Sequence, residues 1–222
     1  MITVHHLNNS RSQRVLWLLE ELGVDYEVKR YERNRETLLA PPELRKVHPL
    51  GKSPLVEIDG RVLAESGAIV ETLADRFAGG KLARPHGSPA RDDYIYWLHY
   101  AEGSAMPPLL LKLFVDRIVA AKMPFFVKPI VRKIRQSAID AFIGPQLKLH
   151  LDYMESVLER HTWFVDDEFS AADIQLSFPL ETAVNRAGLD SSRPKLMDYL
   201  RRIHARPGYV RALERGGPYA YA

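Results

Sequence analysis

The sequence predicts an α/β domain over residues 1–80, a linker over 81–88 and an all-helical domain over 89–222, and three observations support this division. Short runs typical of β-strands occur only before residue 65. A stretch rich in glycine and proline follows, from Gly79 to Pro89. Beyond it, apolar residues recur at helical spacing and no strand pattern returns.

The chain begins with a strand–helix–strand pattern. Ile2 to His6 alternates weakly and predicts a strand, and Tyr26 to Arg30 predicts a second one. Between them, the segment from Arg14 to Gly23 carries its apolar residues on one helical face, and the glycine ends the helix. Since strand, helix and strand follow in order, we expect the two strands to be parallel.

A hairpin and a helix complete this domain. The polar segment from Arg33 to Leu50, which contains several prolines, predicts a loop with a short helix. Leu55 to Ile58 and Arg61 to Leu63 then predict two antiparallel strands, because Asp59-Gly60 is a two-residue turn sequence that favours positive φ. From Ser66 to Phe77, apolar residues recur with the period of a helix.

Two features of this stretch are typical of a small-molecule site. Pro54 follows a Gly-Lys-Ser turn and precedes a buried strand, which favours a cis Ser53–Pro54 bond. Ser53 would then turn its backbone N–H and C=O towards a peptide-like ligand. Ser66 begins a helix, where a hydroxyl and free N–H groups suit a carboxylate. The alternative, from these residues alone, is a hairpin followed by an N-capped helix that binds nothing.

The second half predicts helices only. Pro107-Pro108 is expected to interrupt a helix, Met123-Pro124 to break one, and Gly144-Pro145 to mark a kink or break. Gly188 and Arg206-Pro207 end the last two helices. The predicted helices cover residues 90–105, 109–121, 128–142, 146–160, 171–187 and 195–205.

One helix start carries a capping signature. Ser170 and Asp173 have the spacing of a capping box with an acidic partner, and Phe169 and Ile174 occupy the positions of a hydrophobic staple. Both devices satisfy backbone donors at the helix start. We therefore interpret Ser170 and Asp173 as structural residues.

Composition excludes several classes of protein. There is no cysteine, so a disulfide framework, a thiolate metal site and a cysteine nucleophile are all excluded. The net charge is only +3, and the sequence contains no run of five like charges. A nucleic-acid partner is therefore not indicated. No apolar stretch is long enough to span a membrane, and the first residues do not have the pattern of a signal peptide. We expect a cytoplasmic protein.

Four segments of the chain resemble the cytosolic glutathione transferases. They are the turn Gly51-Lys52-Ser53-Pro54, the helix start Glu65-Ser66-Gly67-Ala68-Ile69, the serine-type pattern Ser10-Arg11-Ser12-Gln13-Arg14, and the capping box at Ser170 and Asp173. The resemblance covers essentially the whole chain and is closest to bacterial-type serine-class members.

The resemblance implies a thioredoxin-like N-terminal domain, a helical bundle and a homodimer. It implies that Pro54 is the cis-proline and that the backbone of Ser53 pairs with the cysteinyl unit of glutathione, the co-substrate. Glu65 and Ser66 would hold the ammonium and carboxylate of the γ-glutamyl end, and Lys52 would lie towards the glycyl carboxylate.

It also implies that Ser10 faces the glutathione sulfur. A free thiol has a pKa of about 8.5 and is mostly protonated at neutral pH. A hydroxyl hydrogen bond and the start of the first helix would favour the thiolate. Asn9 and Asn8 are alternative donors, followed by Ser12. Ser10 could instead only cap the helix, because Ser10 and Gln13 also have capping-box spacing.

Trp97, Tyr100 and Met106 lie near the Pro107 position where the family lines its electrophile pocket, although core or dimer contacts are the alternative and favoured interpretation. Glu102 is a candidate to face the partner subunit's ligand. No histidine has metal-ligand spacing, since His5 and His6 point to opposite faces of a strand, and we expect no metal.

The expected activity is conjugation of the glutathione thiolate to an apolar electrophile. Glutathione-dependent peroxide reduction and a non-catalytic binding or dimerisation role are the alternatives. The sequence leaves the electrophile open, and also the role of the segment from Pro124 to Pro129.

Overall fold

The computed structural model describes residues 1–34, 36–37 and 39–222; residues 35 and 38 belong to the segment predicted as a loop. The first part contains β1 (Ile2–Leu7), α1 (Ser12–Leu22), β2 (Glu27–Tyr31), a 3₁₀ turn (Pro42–Lys46), β3 (Leu55–Ile58), β4 (Arg61–Ala64) and α2 (Ser66–Phe77). The rest is helical: α3 (Pro89–Tyr100), α4 (Met106–Ala120), α5 (Lys128–Ala138), α6 (Gly144–Leu158), α7 (Ala171–Arg186), α8 (Pro194–His204) and α9 (Pro207–Gly216).

The four strands form one mixed sheet in the order β2-β1-β3-β4. β1 pairs parallel with β2, as the strand–helix–strand pattern predicts, and antiparallel with β3. The β3–β4 hairpin turns at Asp59 and Gly60, whose φ values are 51° and 71°, so the turn prediction is confirmed. The sheet together with α1 and α2 forms the thioredoxin-like domain that the resemblance implies.

The predicted interruption at Pro107-Pro108 and a break at Gly144-Pro145 are wrong for the same reason, whereas a kink at Gly144-Pro145 stays a prediction. Met106 N–H donates to the carbonyl of Ala101, and Gly144 N–H donates to that of Ile139, so a π-helical turn joins α3 to α4 and another joins α5 to α6. The wider turn accommodates the prolines that follow, since the ring of a proline normally clashes with the carbonyl four residues earlier. At Gly144, an added Cβ would lie 3.0 Å from the Ile139 carbonyl oxygen.

Helix α9 has no counterpart among the predicted helices. The sequence pattern assigns Pro207 only to the end of α8, whereas it is also the first residue of α9, a position where proline is common. α9 packs against α1 so closely that a Cβ on Gly208 would lie 2.7 Å from the carboxylate of Glu21. Trp17 of α1 is fully buried there and meets Tyr209 edge to face.

The capping box at the start of α7 is confirmed. Ser170 N–H donates to Asp173 Oδ2 at 2.8 Å, and the N–H of Asp173 in turn meets the Ser170 side chain. Asp173 has a second role, because its Oδ1 accepts the N–H of Phe164 at 3.0 Å and so holds the preceding loop. Asp173 is completely buried.

The segment between the two parts of the chain is packed rather than loose. Arg84 is buried and donates to the backbone carbonyl oxygens of Val165 and Glu168, and Ala171 N–H donates to that of Leu82. These bonds join the segment to the start of α7. Across the described ranges 1–34, 36–37 and 39–222, no helix combines the length and the apolar character needed to cross a bilayer.

Candidate functional site

The residues predicted to bind glutathione line one cleft. Its volume is about 340 Å³, and it lies where the loop before β3 meets the starts of α1 and α2; we call it the hairpin cleft. Its walls include Lys52, Ser53, Pro54, Glu65 and Ser66. The Ser53–Pro54 bond is cis, so that prediction is confirmed. The Ser53 hydroxyl donates to the carbonyl of His5 at 3.0 Å, which fixes this turn to β1.

The hairpin cleft carries charges of both signs. Lys52 and Arg11 are its cations, and Glu65 and Glu102 are its carboxylates. Glu65 precedes α2 with a φ of 67°, a conformation that non-glycine residues rarely adopt and that recurs at ligand sites. A ligand that carries an ammonium group and more than one carboxylate matches this arrangement.

A buried arginine links the cleft to the helical part of the chain. Arg14 of α1 donates to Ser66 Oγ at 3.1 Å, to the carbonyl of Gln175 in α7, and to the carboxylate of Glu102. The Arg14 side chain is only 1% exposed. Because a guanidinium keeps its proton in proteins, these three acceptors are what make its burial tolerable.

Glu102 belongs to the site of its own chain, and no pattern in the sequence predicts this. Its carboxylate accepts from Arg11 Nε at 2.9 Å as well as from Arg14. Burial alone would raise the pKa of Glu102, but the positive charges of Arg14 and Arg11 outweigh it and hold that pKa below its usual value. Glu102 is therefore an anion that fixes Arg11 on the wall of the cleft.

Ser10 lies beneath the cleft wall rather than on it. It is 3% exposed, and its Oγ lies 2.7 Å from Ser12 Oγ. Ser12 Oγ lies 2.9 Å from His6 Nδ1 and 3.2 Å from the carbonyl oxygen of Leu7. We assign Ser10 as the donor to Ser12, because the single hydroxyl proton of Ser12 has two other acceptors, the Leu7 carbonyl and the neutral ring of His6. The Ser10 proton is thus used internally.

The first helix has no capping box. The side-chain nitrogen and oxygen of Gln13 are both buried without a hydrogen-bond partner among the described residues, so Gln13 does not reach back to Ser10. Ser10 Oγ instead accepts the N–H of Ser12 at 3.2 Å. That bond satisfies one of the free donors at the helix start.

The two asparagines before Ser10 differ in their side-chain hydrogen bonds and in the surface that they line. Asn8 Oδ1 accepts the N–H of Arg33 at 2.9 Å, and Asn8 does not line the hairpin cleft. Asn9 Oδ1 accepts the N–H of Ala220 at 2.8 Å, while its amide nitrogen has no partner among the described residues. The φ of Asn9 is 49°, in the left-handed region that asparagine tolerates well.

Asn9 lines a second cleft of about 370 Å³, which shares Arg11 with the first. We call it the arginine cleft, because four of the residues that line it are arginines: Arg11, Arg33, Arg117 and Arg186. Its other walls are mostly apolar and come from α4, α7 and the C-terminal residues: Met106, Leu110, Leu113, Phe178, Ala220 and Tyr221.

Of the three residues expected in an electrophile pocket, only Met106 lines the arginine cleft. Trp97 and Tyr100 are 4% and 7% exposed and lie in the core. The face of α3 that carries them turns towards α6, where Trp97 stacks on Tyr153 and Tyr100 Oη lies 2.7 Å from His150 Nδ1. Burial lowers the pKa of His150, which leaves its nitrogen free to accept.

Several wall residues are not predicted by the sequence. Arg11 lies inside the Ser10-to-Arg14 motif, and its position directly before a helix is the available signal. His48, which lines the hairpin cleft, and Arg117 and Arg186, which line the arginine cleft, carry no local signal, because loops and distant helices bring them there. Within the described residues, no group of three histidine or acidic side chains is arranged to hold a metal ion.

The architecture defines a class of protein with a thioredoxin-like domain, a helical domain and two adjoining clefts. Protein-family models match both parts of the chain. Residues 10–76 match the glutathione S-transferase N-terminal domain, and residues 114–207 match the glutathione S-transferase C-terminal domain.

Known proteins show the same similarity along the whole chain. Glutathione S-transferase 1 of Saccharomyces cerevisiae is 33% identical over 223 residues, which cover 97% of this chain and 95% of the yeast protein. Glutathione S-transferase 3 of Schizosaccharomyces pombe is 38% identical over 189 residues, covering 82% and 74% respectively. The crystal structure of a glutathione S-transferase from Actinobacillus pleuropneumoniae has 34% identity and a TM-score of 0.83, covering 100% of this chain and 95% of that one. The chain belongs to the glutathione S-transferase family.

Proposed function

We propose that this protein binds glutathione in the hairpin cleft and transfers its thiolate to an electrophilic carbon of a compound in the arginine cleft. The observation that carries the proposal is the convergence of Lys52, Ser53, Pro54, Glu65 and Ser66 on one cleft of about 340 Å³. The two clefts share Arg11 and therefore adjoin, and the proposal places the glutathione thiol at their border.

The proposed roles of these residues follow from their charges. The γ-glutamyl carboxylate would meet Ser66 and the N-terminus of α2, where free N–H groups favour an anion. The ammonium group would meet Glu65, and the glycyl carboxylate would meet Lys52. The backbone of Ser53, before the cis-proline, would pair with the cysteinyl unit in the manner of an added strand.

The thiolate needs a donor, and the sequence favours Ser10, with Asn9 as an alternative. The contacts of Asn9 support it over Ser10. Its amide nitrogen is free among the described residues and its side chain lines the arginine cleft. The Ser10 hydroxyl is buried and donates to Ser12 in the assignment above. Ser10 would have to give up that bond to reach the sulfur.

The reaction step is a substitution. The glutathione sulfur forms a bond to the electrophilic carbon, the leaving group departs with its electron pair, and the thiol proton passes to solvent. In the alternative activity the same thiolate would attack a peroxide oxygen, the O–O bond would break with loss of the alkoxide, and a second glutathione would convert the sulfenic acid to the disulfide and water.

Retention on immobilised glutathione followed by turnover tests the proposal. We expect the protein to be retained, and to turn over 1-chloro-2,4-dinitrobenzene more efficiently than cumene hydroperoxide. Ser66→Ala should weaken retention, because it removes a hydroxyl from the cleft wall, whereas Ser88→Ala is a matched control on the surface. Retention with peroxide turnover alone would support the peroxidase. No retention and no turnover would reject both activities and leave a non-catalytic role.

We further propose a cytoplasmic homodimer with one glutathione per subunit and with the glutathione domain and helical domain divided at residues 81–88. Support for the dimer comes from large apolar side chains that α4, α5 and the loop between them expose. Phe114 is 63% exposed, Phe125 84% and Ile134 64%. Large apolar side chains exposed on neighbouring elements often mark an interface.

A further inference from the structure

The arginine cleft is more strongly charged than a pocket for a purely apolar compound needs to be. Met106, Leu110, Leu113 and Phe178 supply apolar side chains to its wall. Four arginines also line it, and no aspartate or glutamate is among its described wall residues. A ligand that matches both sets of residues is partly apolar and carries a negative charge.

Two of the four arginines lack a carboxylate partner within the described residues. Arg11 pairs with Glu102. Neither Arg117 nor Arg186 forms an ion pair with any of the described residues. Arg186 instead donates to the hydroxyl of Tyr221, and its guanidinium lies 5.3 Å from the centre of that ring. These contacts orient Arg186 without compensating its charge.

The electrostatics of Arg33 support the same conclusion. Burial lowers the pKa of Arg33, Tyr221 opposes that shift, and the positive charges of Arg11, Arg117 and Arg186 lower the pKa further. Repulsion among these arginines disfavours the protonated form of Arg33. A bound anion would relieve that repulsion.

The positions of the charges also set an orientation. Arg11, the cation shared with the hairpin cleft, lies over the ring of Phe178 at 5.0 Å. Arg117 is near the C-terminal end of α4, and Arg186 is the last residue of α7. An anionic group held by Arg117 and Arg186 would leave the apolar part of the same molecule against Met106 and Phe178.

Resting on the proposed function, we propose that the second substrate is an apolar electrophile that also carries an anionic group, which Arg117 and Arg186 hold in the arginine cleft. A carboxylate, sulfonate or sulfate ester would serve, because a guanidinium donates to each through paired N–H groups.

A matched pair of electrophiles tests this inference. 4-Chloro-3,5-dinitrobenzoate and 4-chloro-3,5-dinitrobenzamide react by the same step, in which the glutathione sulfur bonds to the ring carbon and chloride leaves. Each kcat/KM is divided by the rate of the reaction of that compound with glutathione in the absence of protein. Binding of both compounds without glutathione is measured by calorimetry, which does not depend on turnover.

We expect the corrected kcat/KM and the affinity to favour the carboxylate by about tenfold or more, because a hydrogen bond to a charged group strengthens binding by about that factor. Arg117→Gln and Arg186→Gln should each reduce this preference severalfold, and Arg117→Lys should keep part of it. Arg132→Gln is the matched control: it removes the same charge from exposed α5, outside both clefts, and should leave the preference unchanged.

The outcomes separate the two proposals. Equal turnover of carboxylate and amide, or equal effects of Arg117→Gln and Arg132→Gln, would overturn the inference while the transferase function stands. Preferential binding of the carboxylate without turnover of either compound would reject the transferase function and support the anion site. Neither binding nor turnover would reject both.

Discussion

Asn9 and Ser10 are neighbours in the chain, but their hydrogen bonds give them different chemistry. The Asn9 amide nitrogen is available among the described residues, and the Ser10 hydroxyl is buried against Ser12 at 2.7 Å. A hydrogen bond to a charged group stabilises it by about 1.5–3 kcal/mol. The thiolate donor is therefore the residue whose loss should cost the most activity.

We predict that Asn9→Gly lowers kcat for 1-chloro-2,4-dinitrobenzene by about tenfold or more, and Ser10→Ala by less. Glycine is the better substitution at position 9, because it tolerates the φ of 49° that alanine does not. The measurement is steady-state kinetics with saturating glutathione. A larger loss in Ser10→Ala than in Asn9→Gly would return the role of donor to Ser10.

His6 makes the free energy of unfolding depend on pH. Burial, with Arg30 nearby, lowers its pKa from 6.5 to about 4. Between these values the unfolded chain binds a proton that the folded chain does not. The free energy of unfolding therefore falls as pH falls, and the contribution of His6 is lost through the window from about 6.5 to about 4.

We predict that His6→Asn flattens this dependence. Asparagine can still accept from Ser12 through its oxygen but does not titrate. Between pH 7 and pH 5, the wild-type protein should lose about 2 kcal/mol more unfolding free energy than the variant. Urea titrations at both pH values measure the difference, and parallel losses would show that His6 is not neutral in the fold.

Much of the site could be predicted at the level of residue identity, but not at the level of contacts. The segments around Pro54 and Ser66 have local signals, namely a proline turn and a helix start, and both line the hairpin cleft. Glu102 has no such signal, because its partners Arg11 and Arg14 are about ninety residues away in the chain. Trp97 and Tyr100 show the same limit, since an aromatic helix face does not say whether it meets a core or a cleft.

At the scale of elements, the start of α7 joins several parts of the fold. Asp173 holds Ser170 and Phe164, and its carbonyl accepts the hydroxyl of Tyr199 at 2.6 Å. Burial raises the pKa of Asp173 to about 6, and the donated hydrogen bonds oppose that shift. The helix cap is thus also the anchor of the loop before it.

We predict that Asp173→Ala lowers the free energy of unfolding by about 2–4 kcal/mol, because it leaves two buried N–H groups without acceptors. Asp167→Ala is a matched control, since Asp167 accepts the N–H of Thr162 at an exposed position. Its cost should stay below about 1 kcal/mol. Chemical denaturation compares the two, and equal costs would contradict the anchoring role.

The helix boundaries show what sequence patterns miss. Gly144-Pro145 and Pro107-Pro108 have the composition of breaks, yet each follows a π-helical turn that lets the helix continue. Nothing in the local sequence distinguishes a break from such a turn, because the outcome depends on packing against other helices. The hairpin at Asp59-Gly60 was predictable, because its φ values are set by the two residues themselves.

At the scale of the whole molecule, the exposed apolar side chains of α4, α5 and the loop between them favour a dimer. We predict a mass in solution of twice the 25.3 kDa of one chain, measured by sedimentation at micromolar concentration. A mass of one chain at that concentration would contradict the dimer and leave these side chains, among them Phe114 and Phe125, exposed to solvent.

The two clefts meet at Arg11. In the proposed function the thioredoxin-like part holds glutathione and the helical part holds the electrophile, while the buried Arg14 connects Ser66 to Glu102 and α7 between them. Its central claim is that bound glutathione is held as a thiolate.

An ultraviolet titration of the glutathione thiolate in complex with the protein tests this claim most directly. Free thiols titrate at a pKa of about 8.5, and the account predicts that the bound thiol titrates about one to two units lower. A bound thiol that titrates at the pKa of free glutathione would contradict it.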